Sequence, residues 1–133
     1  MKRFIIALIV LVFCIGDTYG KNVLMIVNKL KNNATLRVHC YSKNDDLKVI
    51  YLHRNQRSLS WRFNDAYFHE TLFTCVLKHG YHGVHHREFT AYKSKWNHSK
   101  RNSANATWYA GERGLYLSFN RMTPEFQFYW SYI

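Results

Sequence analysis

The alternation of apolar and polar side chains is sharpest at residues 35–41, where Leu36, Val38 and Cys40 fall on one face and Arg37, His39 and Tyr41 on the other. A period of two describes a strand with one side in a core and one side in water. The same period returns along the chain. Leu59, Trp61 and Phe63 oppose Ser60 and Arg62; Phe73, Cys75 and Leu77 share a face, as do Phe126, Phe128, Trp130 and Tyr132. With the apolar runs around them, these patterns predict strands over 23–30, 35–41, 46–52, 59–63, 71–78, 88–92, 108–110, 115–119 and 126–132. Polar turns separate them. Lys43-Asn44-Asp45 divides the second strand from the third, and Glu112-Arg113-Gly114 reads as a tight hairpin turn whose glycine would supply a positive φ. No stretch carries the 3.6-residue period of an amphipathic helix, and the chain holds one proline, Pro124. Eight or nine short strands of this kind fold as an antiparallel sandwich or barrel.

The first twenty residues break the pattern. Lys2 and Arg3 precede an unbroken apolar run over 4–15, and Thr18 and Gly20 put small residues three and one before Lys21. That is the layout of a cleaved secretory signal peptide. The run is too short to anchor the protein, because a spanning helix needs about 20 apolar residues. Residues 1–20 are therefore read as the signal and 21–133 as a single domain, with no stable membrane insertion.

Export changes the meaning of the cysteines. Cys14 leaves with the signal, and the remaining pair, Cys40 and Cys75, reaches an oxidising compartment where a disulfide is expected. Closing a loop of that length contributes about 4 kcal/mol on the chain-entropy model, a large share of a typical stability of about 5–15 kcal/mol. The aromatic content of 17% suits a small core, since large flat side chains fill the space between two sheets with few residues.

Charge narrows the partners. The chain carries 19 Lys and Arg against 8 Asp and Glu; loss of Lys2, Arg3 and Asp17 with the signal leaves 17 against 7, a formal +10. All eight histidines follow residue 20 and would add to this in a mildly acidic fluid. Such a surface attracts wall polyanions, anionic lipid head groups or an acidic patch on a receptor. Nucleic acid is not expected as a partner, because an exported chain rarely meets it and the basic residues are dispersed along the sequence.

A further signal lies in the order of short motifs. Val27-Asn28 with Leu30, Leu36-Arg37-Val38-His39-Cys40 with Ser42, Asp45-Asp46-Leu47, Trp61-Arg62-Phe63, Thr71-Leu72-Phe73-Thr74-Cys75, Phe89 with Tyr92, and Trp108 with Gly114-Leu115-Tyr116 follow one another along nearly the whole mature chain. In that order they resemble the plant self-incompatibility proteins, also called S-protein homologues. The resemblance implies an all-β fold: a small antiparallel β-sandwich of about eight strands with one disulfide. It also implies a secreted signalling ligand recognised by a cell-surface receptor, similar to the stigma proteins of poppy. Two departures stand out. A second cysteine pair often present in the family is missing, as the stretch before Trp108 reads Asn102-Ser103-Ala104-Asn105-Ala106-Thr107, which implies a less stapled C-terminal half. The usual glycine after the acidic turn is Lys48.

Candidate sites are few. Asn33, Asn97 and Asn105 head Asn-X-Ser/Thr sequons and are candidate glycan acceptors. His79, His82, His85 and His86 have the density of a metal-binding tract but lack a thiolate or carboxylate at fitting spacing, so no metal is expected. Asp45 and Asp46 are better turn formers than a hydrolase pair, because adjacent carboxylates cannot flank a scissile bond. Lone histidines such as His39 and His69 cannot be paired into a ribonuclease site, and no nucleophile elbow, zinc-protease motif or phosphate loop is present. No catalytic residue and no cofactor is expected. Receptor contacts are assigned to two loops: Lys43, Asn44, Asp45 and Asp46, and the basic segment with His79, His82, His85, His86 and Arg87. The expected protein is a monomer, and the alternative function is a cationic defence protein acting on anionic membranes or cell-wall polymers.

Overall fold

The computed structural model describes residues 22–64, 70–96 and 103–132. The expected signal peptide with Cys14, as well as Lys21, His69 and Asn97, lies outside these residues. Among them are ten strands: β1 (Asn22–Asn28), β2 (Leu36–Tyr41), β3 (Asp46–Leu52), β4 (Ser58–Phe63), β5 (Leu72–His79), β6 (His85–Lys93), β7 (Asn105–Ala110), β8 (Gly114–Phe119), β9 (Glu125–Tyr129) and β10 (Ser131–Tyr132). They form two five-stranded sheets, in the order β4-β1-β7-β8-β9 and β10-β6-β5-β2-β3. Pairing is antiparallel except between β1 and β7, which run parallel.

The period of two in the sequence is the period of burial. β1 and β2 bury every second residue, and β5 buries Phe73, Cys75 and Leu77. These side chains meet those of the other sheet. Phe63 of β4 packs on Phe73 and Tyr92 at ring separations of 4.8 and 5.0 Å, and Phe89 packs on Trp108 at 4.5 Å. The buried Trp108 also donates its Nε1–H to the Ala91 carbonyl at 2.9 Å, a hydrogen bond that ties the sheets together.

The disulfide joins directly opposed residues. Cys40 and Cys75 are register partners on β2 and β5, with Cα atoms 4.0 Å apart, and both are fully buried. The crosslink thus lies within one sheet, on its inner face.

Two expectations are revised. The predicted strand over 126–132 is two strands: β9 belongs to the first sheet and β10 to the second, with Trp130 at the crossing. Its indole sits inside and donates to the Gly111 carbonyl at 2.8 Å, while Tyr132 is 70% exposed. Gly114 does not adopt a positive φ; glycine is required because an added Cβ would run into the Phe128 carbonyl of the neighbouring strand. Among the described glycines the positive φ values fall instead on Gly80 (84°) and Gly83 (67°), in the β5–β6 connection.

One polar cluster organises an end of the sandwich. Asn28 is buried, donates to the carbonyls of Ala34 and Leu52 at 2.8 and 3.0 Å, and accepts from the Leu30 amide at 2.9 Å. Arg57 reaches over it to the carbonyls of Asn28 and Leu30. The β1–β2 loop and the end of β3 are thereby held by hydrogen bonds where no regular ladder is available.

Candidate functional site

Strand directions sort the loops into two groups. The β1–β2, β3–β4, β5–β6 and β7–β8 connections share one end of the sandwich; the β2–β3, β4–β5, β6–β7 and β8–β9 connections share the other. The two candidate recognition segments therefore lie at opposite ends, separated by the length of β5, roughly 25 Å at strand rise.

The β2–β3 turn is short and stiff. Ser42 donates its amide to the Asp45 carbonyl at 2.7 Å, and the exposed Asp46 accepts from the Lys48 amide at 2.9 Å and from His39 Nε2 at 2.8 Å. The Lys48 amide, and then His39, hold the Asp46 carboxyl below its ordinary value. Asp46 is thus engaged within its own strand pair, whereas Lys43, Asn44 and Asp45 project outward. Residues 41–45 also line an open cavity of about 430 Å³ with Phe63, Asn64, Glu70 and Phe73.

The geometry of Lys48 follows from a bulge. His39 faces Val49 but Tyr41 faces Asp46, so β3 carries one residue more than β2 over this interval. Lys48 takes a φ of 69° to absorb it. A bulge of this sort normally places glycine in the left-handed region, since a Cβ is disfavoured there.

At the other end, only residues 80–84 are outside strands, so the expected basic loop is shorter than its sequence suggests. Its residues divide by strand parity. His79, His85 and Arg87 continue the inward-facing series of Leu77 and Phe89 and are half-buried. The rings of His79 and His85 stack at 4.6 Å, His79 lies edge-on to Trp130 at 4.4 Å, His85 meets Tyr132 at 4.7 Å, and Arg87 lies 4.5 Å over the Phe128 ring. Burial, then the adjacent His85, pushes His79 below its ordinary value, with Glu112 opposing. His82, in the turn, is exposed, and His86 points to the outer face of the second sheet. Among the described residues no group of three or more His, Cys, Asp or Glu side chains is placed to hold a metal ion.

The fold also gathers cations that are dispersed in sequence. Lys29, Lys31, Arg37, Arg54, Arg57, Lys78 and Arg113 lie in or next to the loops of this end, against the single carboxylate Glu112 among the described residues, while Arg87 and Glu88 follow side by side further along β6. Asp45, Asp46, Glu70 and Glu125 are all at the far end. Sequence reasoning missed this polarity, because it follows from strand direction and sheet order.

Of the two described sequons, Asn33 is exposed in the β1–β2 loop with a φ of 56°. Asn105 is half-buried at the start of β7, where its Oδ1 accepts from Thr107 and its amide donates to Asn120.

A family model described as plant self-incompatibility protein S1 matches residues 23–130, from the start of β1 to the sheet crossing at Trp130. The chain belongs to this plant self-incompatibility S1 family. S-protein homolog 21 of Arabidopsis thaliana is 34% identical over 134 residues, covering 98% of this chain and 99% of its own length. S-protein homolog 32 of the same plant is 37% identical over 122 residues, covering 88% and 83%. A solved structure of a self-incompatibility protein homologue superposes with a TM-score of 0.63 at 18% identity, over 84% of this chain and 96% of that one. That protein is described as one of a widespread family of small, highly stable, secreted proteins from plants. Among the described residues of this S1-family chain no helix is long and apolar enough to cross a membrane.

Proposed function

We propose that this S1-family protein is secreted and acts as a non-catalytic signalling ligand, recognised by a cell-surface receptor through loops at the ends of its sandwich. The match of the family model across 23–130 carries the reading. The physical support is a scaffold suited to presentation: the β2–β3 turn begins two residues after the buried Cys40–Cys75 crosslink and is closed by its own hydrogen bond. A turn held in this way loses little entropy when it is bound. Lys43, Asn44 and Asp45 are the residues of that turn free to meet a receptor.

Binding of labelled purified protein to intact cells tests the reading. Saturable binding, competed by unlabelled protein and weakened by the double change Lys43→Glu and Asp45→Lys, supports it. Binding that rises linearly with concentration, together with leakage of anionic vesicles, would instead support a cationic defence protein that needs no receptor.

A further inference from the structure

The outer face of the second sheet carries an arrangement that folding alone does not explain. Arg37 on β2 and Lys78 on β5 are register partners, and Lys78 is in turn the register partner of His86 on β6. Like charges directly opposite on neighbouring strands destabilise a sheet. The side chains of Arg37 and Lys78 make no hydrogen bond or ion pair with a described residue, and the nearest carboxylate on this face, Glu88, lies two residues further along β6.

This row is also concave. With Tyr51 and the glycine-containing turn around His82, Arg37 and Lys78 line an open groove of about 480 Å³. Tyr51, the register partner of Arg37 on the other side, is 56% exposed. A large aromatic ring left in water beside unpaired cations combines a flat apolar surface with charge.

We propose that this groove binds an acidic polysaccharide, with Arg37 and Lys78 on its carboxylates and Tyr51 against a sugar ring. The register explains the choice. Neighbouring strands stand about 4.8 Å apart, so the cations form a ladder across the sheet, and a linear polyuronate carries one carboxylate on every sugar ring at a repeat of comparable size. An acidic peptide or an anionic membrane would satisfy the cations, but neither sets a rigid flat ring beside each carboxylate for Tyr51 to lie against. The site includes His79 and His82 of the second candidate receptor loop, but it leaves the receptor reading of the β2–β3 turn intact, since that turn lies at the opposite end of the sheet and stays accessible when the groove is filled.

Titration of the purified full chain with a polygalacturonate oligosaccharide, its fully methyl-esterified form, poly-glutamate and phosphatidylserine vesicles tests the proposal. The free acid is expected to bind, and the ester is not. The double variant Arg37→Gln, Lys78→Gln should weaken binding about tenfold or more, with no loss of fold because it removes a like-charge pair. Tyr51→Ala should weaken the oligosaccharide and leave poly-glutamate unchanged, while Arg121→Gln with Lys95→Gln, the same charge change at the far end, should weaken neither. Equal binding of acid and ester, or an unaffected double variant, overturns the groove. Poly-glutamate or vesicles bound as tightly per charge, with Tyr51→Ala silent, overturns the polysaccharide and assigns the face to an acidic peptide or a membrane.

Discussion

Lys48 carries a backbone penalty that its side chain offsets only through a solvent-screened attraction to the Asp46 carboxylate. It is exposed, its φ of 69° is left-handed, and the hydrogen bond that fixes the bulge uses its amide. Glycine would keep that amide and drop the Cβ, so Lys48→Gly is expected to raise stability by about 0.5–1 kcal/mol, the steric gain slightly exceeding the greater freedom of the unfolded chain. A higher urea midpoint at unchanged slope would register it. His79 supplies the matching pH argument. Its ring is held neutral by burial and by the stacked His85, so its folded value lies below the ordinary 6.5. The unfolded chain therefore binds the proton first as pH falls, and stability declines from about pH 6.5 down to the depressed folded value. Thermal melts between about pH 7.5 and 5 should show this decline, and His79→Phe, which keeps a ring against Trp130 without a titrating nitrogen, should flatten it. An unchanged slope in that variant would move the effect to another group.

At the level of elements, β2 and β5 form the centre of the second sheet, and the disulfide sits between them on the buried side. Replacing both cysteines by alanine is expected to cost about 2–4 kcal/mol by releasing a 35-residue separation in the unfolded chain. Chemical denaturation of the folded variant measures it, and a loss under 1 kcal/mol would show that core packing alone aligns the two strands. Strands were the most legible feature of the sequence because a half-buried strand writes its burial directly as a period of two, as in Leu36, Val38 and Cys40. Pairing order was not legible. The parallel β1–β7 contact joins residues about 80 apart, and nothing local to Val23 or Asn105 specifies it. The break at Trp130 was hidden for a related reason: alternation runs unbroken from Phe126 to Tyr132 although the chain changes sheets, since both sheets present an apolar inner face. Gly114 was recognised as necessary but for the wrong cause, because a close approach across β8 and β9 leaves no mark on the sequence other than the glycine itself. The outward turn at Lys43, Asn44 and Asp45 was readable from polar turn residues between two strands, whereas the Arg37–Lys78–Tyr51 groove depends on register and was not.

Over the whole molecule, the sandwich has a basic end and a mixed end, although its sequence spreads the charges along its length. Such a concentration stores repulsion in the folded state that the extended chain relieves, so the net effect on folding is unfavourable and long-ranged. Screening should relieve it. At 10 mM salt the Debye length is about 30 Å, enough for every cation of that end to feel the others; at 150 mM it is about 8 Å. Raising salt across this range is expected to stabilise the protein by about 1 kcal/mol, or several degrees in Tm, a sum of pair repulsions of a few tenths each. Charge reversal locates the source. Arg54 is exposed in the β3–β4 turn at the basic end, and Lys43 is exposed in the β2–β3 turn beside Asp45 and Asp46. Arg54→Glu should raise Tm at low salt and shrink the salt effect, because it places a carboxylate among unpaired cations. Lys43→Glu makes the same change in net charge but adds to an acidic neighbourhood, so it should leave the salt effect in place and lower Tm slightly. If the two variants responded alike, net charge and not its polarity along the sandwich would govern the molecule's response to salt.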